Sequence, residues 1–302
     1  MIHTHMISTQ GLRKTFGKLD AVQGLDLAVR EGSATALVGA NGAGKSTAIR
    51  LIMNLLQPDS GSAEVLGVDS RKLGPAQMQR IGYVAESQKL PEALKLGDYL
   101  TFLSALYPTW DNELAAELLR KLQLDTEQKV GRLSHGQRLK AALTGALAYR
   151  PELLVLDEPL TGLDPLVRDQ LLENLLGHAE GTTILISSHE LFELEGAITD
   201  IAFIESGKIR FQQPLDEMGG RFRDVVVVMD EPRAMPELPK AWIAPKLVGR
   251  TLAFTTTDFD TEANLKHRIA EKVGAVQSVE VSGMSLRAVA KALMLNAVEV
   301  QP

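Results

Sequence analysis

Cysteine is absent from the 302 residues, which excludes disulfides, thiolate nucleophiles and cysteine metal sites. That absence fits a reducing compartment. Positive charge is not in excess either: 32 Lys and Arg stand against 38 Asp and Glu, a net charge of -6. A nucleic-acid partner calls for a basic face, so nucleic acid is not expected. No apolar run approaches the roughly 20 residues that cross a bilayer. The longest, such as VVVVM at 225–229, suits a buried strand. The opening residues MIHTHMISTQ lack the basic start and apolar stretch of a secretory leader. No internal repeat is visible. The chain reads as soluble, and any action at a membrane needs another subunit to do the spanning.

Hydrophobic residues make up 45% of the chain, enough for a sizeable core, and the length suits about two domains. Leu25, Leu27 and Val29 alternate with Asp26, Ala28 and Arg30, which predicts a half-buried strand. Residues 35–38 (TALV) predict a buried strand. A helix is expected over 44–56, with Ile49, Ile52, Met53 and Leu56 on one face. Residues 63–69 read as a strand entering a turn. The stretch 92–149 is helix-rich with no good strand. Strands return at 153–156 and 183–186, and 201–211 reads as a hairpin through Ser206 and Gly207. Composition shifts near Gly219 and Gly220. Beyond it lie two strand-like runs, a proline-rich stretch, a helix over 261–272, a further strand and a last helix near 286–295. This reads as a separate small α/β domain.

Residues 39–46, GANGAGKS, match G-x-x-x-x-G-K-[ST] between a predicted strand and a predicted helix. The loop Gly39, Asn41, Gly42, Ala43 and Gly44 lets backbone N–H groups turn inward around phosphates, and the helix start adds partial positive charge. Lys45 is expected to reach the β/γ oxygens, Ser46 to ligate Mg²⁺ and Thr47 to hold the α-phosphate. The run LLVLDEP (153–159) is an apolar strand ending in two acids. Asp157 is placed to hold Mg²⁺ through water, and Glu158 to polarise an attacking water. ILISSHE (184–190) repeats strand and polar tip, so His189 is expected at the same edge, within reach of the γ-phosphate. Taken singly, the acids read equally as solvated loop residues and the histidine as structural.

LSHGQ (133–137) is a second polar, glycine-containing turn opening a helix, with Ser134 as a good N-cap. A helix start is thereby aimed at a further anion. Together, the phosphate loop, LSHGQ, LLVLDEP, GLD (162–164) and SSHE stand in the order seen in ABC-type ATPase cassettes, and residues 6–215 resemble that family. The tail beyond 220 and PTWD (108–111) are similar to ATPase subunits of bacterial export-type transporters.

The resemblance implies an α/β fold: a P-loop NTPase core with an N-terminal antiparallel β-subdomain and a helical insertion over about 90–150. The cassette would occupy 1–218, and a small accessory α/β domain 219–302. It implies that Ser134, Gly136 and Gln137 bind the γ-phosphate held by a second copy or related cassette, with Asp164 lining that seam. Phe16 takes the position of an aromatic that stacks on adenine, with Val22 packed beside it. Two positions depart from the family pattern. His135 replaces the commoner Gly, and Glu86 stands where Gln usually ligates Mg²⁺ and links ATP to the membrane subunit. Gln88 is the alternative if that loop shifts.

The implied function is ATP binding and hydrolysis by a cytoplasmic subunit, peripheral on the inner face of the membrane, energising transmembrane partners. The alternatives are a soluble ABC ATPase, such as an iron–sulfur assembly ATPase, and a non-hydrolysing scaffold. Glu158 and His189 argue against the last.

Overall fold

The computed structural model describes residues 5–86, 88–178, 181–189, 194, 196–285, 288, 289 and 292. Contacts divide the chain into two units, one running to His189 and including Gly196–Gln212, the other taking over at Gln213.

The first unit begins with β1 (His5–Phe16), β2 (Leu19–Leu25) and β3 (Ala28–Arg30). The alternation over 25–29 predicts one strand, but the chain breaks it at Asp26 and Leu27. The Thr9 hydroxyl donates to Leu25 O and accepts from Leu27 N, both at 2.8 Å, and Asp26 Oδ1 accepts from Gly11 N at 2.7 Å. Side-chain hydrogen bonds thus supplement the backbone bond there, Thr9 N to Leu27 O at 2.8 Å. Leu25, Leu27 and Val29 are nonetheless all buried.

β4 (Ala34–Val38), α1 (Lys45–Ile52), β5 (Ser60–Val65), β6 (Val68–Asp69), α2 (Pro75–Met78) and β7 (Ile81–Ala85) follow. The helix expected to reach 56 stops at Ile52. Met53 caps it and Asn54 turns left-handed at φ 56, a conformation asparagine tolerates. The helical insertion is α3 (Leu96–Leu106), α4 (Asn112–Lys121) and α5 (His135–Leu147). Tyr149, just past α5, donates its hydroxyl to Ile81 O at 2.7 Å and so ties the insertion to β7.

The remaining elements are β8 (Leu153–Asp157), α6 (Pro165–His178), β9 (Thr183–Ser188), β10 (Asp200–Glu205) and β11 (Lys208–Pro214). Ser206 and Gly207, both at positive φ, make the predicted two-residue turn.

One sheet has the order β2-β1-β5-β6 with β3 also on β1, all antiparallel. The other is β11-β10-β4-β9-β8-β7, in which β10, β4, β9, β8 and β7 run parallel. Every residue of β8 and of β9 is buried, as in central parallel strands covered on both faces.

The second unit holds α7 (Leu215–Arg221), β12 (Arg223–Met229), β13 (Trp242–Val248), β14 (Thr251–Thr256), α8 (Glu262–Val273) and β15 (Val276–Gly283). Its antiparallel sheet has the order β13-β14-β12-β15. Leu265, Ile269 and Val273 of α8 join Val225, Val227 and Phe254 in the core. Two elements here were not expected. Gly219 and Gly220 lie inside α7, and the proline-rich stretch contains β13. Pro245 is accommodated there because β13 is an edge strand with irregular register between Ile243 and Lys246. The helix expected over 286–295 lies almost wholly outside the described residues.

Candidate functional site

Parallel pairing brings four strand ends within one residue of a common rung. Val38 pairs with Ser188, Ser187 with Asp157, and Asp157 with Ala85. The residues that come next, Gly39, His189, Glu158 and Glu86, therefore leave the sheet at one edge. This is the carboxyl edge, where open α/β sheets place their ligands.

The loop after β4 winds tightly into α1. Gly44 caps the helix at φ 103, and a Cβ there would lie 2.4 Å from Ala21 O, so only glycine fits. No side chain caps this helix, which leaves its first amides to face a ligand. Lys45 is buried. Its ammonium donates to Gly39 O at 2.6 Å and Ala40 O at 3.1 Å and pairs with Glu158 Oε1 at 3.0 Å. An ammonium has three protons, and all three are engaged.

Glu158 sits at φ 50, a left-handed turn that swings it out of the line of β8. Ser187 Oγ accepts its amide proton at 2.8 Å and donates to Asp157 Oδ1 at 2.8 Å. Glu158 Oε2 accepts from His189 Nδ1 at 2.9 Å and from the Thr161 hydroxyl at 3.2 Å. Burial pushes the carboxyl up, but hydrogen bonds from His189 and Lys45, together with their charges, outweigh it and hold it below the ordinary range. It is therefore ionised at neutral pH. Because a carboxylate only accepts, His189 Nδ1 carries the proton, and a neutral ring offers Nε2 as an acceptor.

A cavity of about 540 Å³ opens over these groups. Phe16, Leu19 and Ala21 form one wall, with Phe16 half exposed. Asn41, Gly42, Gly44, Lys45, Ser46 and Thr47 form the floor, and Glu86, Glu158, Thr161 and His189 the far side. Gly39 and Ala43 shape the loop from behind: Gly39 O accepts from Lys45, and Ala43 O accepts from Gly207 N. Val22 is buried in the core, and its neighbours Leu19 and Ala21 line the cavity.

Ser46 Oγ donates to Asp157 Oδ1 at 2.9 Å. Glu86 lines the cavity and also a neighbouring groove of about 490 Å³, whereas Gln88 lines only the groove. Among the described residues, no group of three His, Cys, Asp or Glu side chains could hold a metal. The hydroxyl and carboxylate of Ser46 and Asp157 fit a hard cation that takes its other ligands from phosphate and water, as Mg²⁺ does.

The LSHGQ residues are not in this cavity. Ser134 Oγ accepts from Gln137 N at 3.2 Å and Gln137 Oε1 accepts from Ser134 N at 2.9 Å, a reciprocal cap on α5. Gly136 packs beside Leu163 and Val167. Asp164 Oδ1 accepts from Val167 N at 3.1 Å at the start of α6. Sequence reasoning missed Thr161 and Ser187. Thr161 was within reach, three residues after Glu158 across a proline turn. Ser187 becomes visible only once β8 and β9 are paired.

The pattern of the ABC transporter family matches residues 22–161. A bacitracin transport ATP-binding protein of Bacillus licheniformis is 32% identical over 222 residues, 72% of this chain and 72% of that protein. A daunorubicin resistance ATP-binding protein of Streptomyces coeruleorubidus is 32% identical over 299 residues, 94% of this chain and 91% of that one. Among solved structures, an ATP-binding subunit of an ABC transporter superposes with a TM-score of 0.64 at 27% identity, over 70% of this chain and 91% of its own.

Proposed function

Because the chain belongs to the ABC transporter ATP-binding family, we propose that ATP is bound and cleaved in the cavity at the carboxyl edge of the parallel sheet. The protein is an ATP-hydrolysing subunit that energises transport. The relatives' names, bacitracin transport and daunorubicin resistance, favour export and speak against the soluble-ATPase alternative.

The observation that carries the assignment of roles is the division of labour between the two oxygens of Glu158. Oε2 is anchored by His189 and Thr161, while Oε1 is held only through Lys45. A γ-phosphate oxygen that takes a Lys45 proton frees Oε1 to polarise a water, with the carboxylate still aimed from behind. The amides of the loop and of α1 hold the β- and γ-phosphates, and Thr47 the α-phosphate. His189 reaches the γ-phosphate, and Phe16 stacks on the base. Ser46 and Asp157, with Glu86 at the margin, hold Mg²⁺. Bound there, the ion offsets the charge that builds on the phosphate oxygens.

Ser134, Gly136 and Gln137 do not line their own chain's cavity, which supports their service to the nucleotide of a second copy, with Asp164 at the seam. Among the described residues no helix is long and apolar enough to cross a membrane, in keeping with a peripheral subunit on the cytoplasmic face of a membrane-spanning partner. The second unit is an accessory domain of the same subunit.

The test is Glu158→Gln. Turnover should fall by about 10²–10⁴ while nucleotide binding persists and an ATP-locked dimer accumulates. Turnover at the wild-type rate would refute the role given to Glu158. A strictly monomeric ATP-bound variant would refute the shared site.

A further inference from the structure

His135, the polar side chain between Ser134 and Gly136, faces the segment that follows Glu158. Its Nε2 lies 3.2 Å from Thr161 O. A carbonyl oxygen only accepts, so Nε2 carries the proton and donates it. From Thr161 the path continues inward. Its hydroxyl donates to Glu158 Oε2 at 3.2 Å, and its amide lies 3.4 Å from Glu158 O, closing a turn over Pro159 and Leu160. That carboxylate oxygen is the one His189 also holds. Gly162 follows at φ 73, inside a second turn that Leu163 N closes on Leu160 O at 3.3 Å. The His135 proton ties the carbonyl at the centre of that turn to the start of α5.

The contact belongs to a continuous seam. A Cβ on Gly136 would meet Leu163 Cδ2 at 3.4 Å and Val167 Cγ1 at 3.5 Å, and one turn further Lys140 Nζ donates to Gln170 Oε1 at 3.4 Å. The start of α5 and the segment after Glu158 therefore move as neighbours.

We infer that His135 is a positioning residue: through the Thr161 carbonyl it fixes the turn whose hydroxyl aims Glu158. Its neighbours Ser134 and Gly136 are the groups that the proposed function, on which this inference rests, sets against the nucleotide of a second copy. One chain thereby joins two nucleotide sites. Displacing the start of α5 on the far nucleotide shifts Thr161 and, with it, the anchored oxygen of the near carboxylate.

The experiment measures steady-state ATP hydrolysis by the full-length chain carrying His135→Phe, His135→Gln, Thr161→Val or His135→Phe with Thr161→Val. Loss of one exposed hydrogen bond acting on the transition state predicts a kcat about fivefold lower for His135→Phe, with KM for ATP within about twofold of wild type. Gln, which can donate from the same side, recovers most of that loss. If the two bonds act in series, the double variant is no slower than Thr161→Val alone. Unchanged kcat in His135→Phe overturns the inference. So does a raised KM at constant kcat, which would mean that His135 touches the nucleotide itself, and so does strict additivity in the double variant. The ring is exposed in the first turn of a helix, so His135→Ala serves equally should the Phe variant misfold. Failure of the underlying reading looks different: Glu158→Gln would then still turn over. A dead Glu158→Gln beside a wild-type His135→Phe sinks this inference alone.

Discussion

Lys45 Nζ and Glu158 Oε1 stand 3.0 Å apart inside the cavity at the carboxyl edge of the parallel sheet, with both side chains largely withdrawn from solvent. Each is the other's compensation for burial. Removing only one leaves a buried charge, which costs more than the pair is worth. Lys45→Ala is therefore expected to destabilise the fold by about 1–3 kcal/mol, less than a fully enclosed pair because the cavity admits water. Adding Glu158→Gln should restore part of that loss. Urea melts of the two single variants and the double variant check this, and a fully additive double would mean the charges are uncoupled.

Ser187 deserves a separate substitution because one hydroxyl serves two functional residues. Ser187→Ala strands the Glu158 amide and leaves Asp157 Oδ1 with the Ser46 hydroxyl alone, at a cost of about 1–3 kcal/mol for the unsatisfied amide. Turnover should drop more than nucleotide affinity, since the left-handed turn at Glu158 loses its anchor. Calorimetric binding of a non-hydrolysable nucleotide beside a rate measurement separates the two effects.

Acid behaviour follows from the direction of the Glu158 shift. The folded carboxyl lies below its ordinary value of 4.5, so its stabilising contribution is complete above that pH and disappears as pH falls through the folded value. Between pH 6 and 8 the carboxylate stays charged, and no decline in turnover in that window traces to it. Acid titrations of wild type and Glu158→Gln, followed by circular dichroism, should differ most above pH 4.5 and converge only as pH falls through the lowered folded value.

Glu86 brings a negative charge to the margin of the proposed metal site, where a neutral amide is the commoner choice in the resembling family. Glu86→Gln should raise the Mg²⁺ concentration for half-maximal turnover by about threefold or more, because a charged oxygen holds a hard cation better than a neutral one. An unchanged Mg²⁺ requirement would remove Glu86 from the metal's surroundings.

Much of this site was legible in the sequence because its groups sit directly behind buried strands: the phosphate loop after β4, Asp157 and Glu158 closing β8, His189 closing β9. A short apolar run followed by polar residues marks such a strand end without knowledge of pairing. What stayed hidden depends on partners distant in sequence. The Ser187 hydroxyl matters only because β8 lies alongside β9. Leu19 and Ala21, rather than Val22, reach the cavity because the pleat turns alternate residues inward and Val22 belongs to the buried set. Local rules also misled where tertiary contacts overrode them. Two glycines marked a shift of composition where α7 forms, and a proline-rich stretch given no strand runs into β13 at an irregular edge.

The near alignment of the ends of β4, β9, β8 and β7 makes the proposed catalytic arrangement digital. Sheet geometry advances in whole residues, so a one-residue slip of β8 against β9 would not nudge Asp157 but would turn its carboxylate to the opposite face of the sheet, away from Ser46. A change of length is accordingly expected to be tolerated only at the far ends of these strands, and not at the Ser206–Gly207 tip, whose Gly207 amide holds Ala43 O of the phosphate loop. The four strand ends have no intermediate settings to pass through.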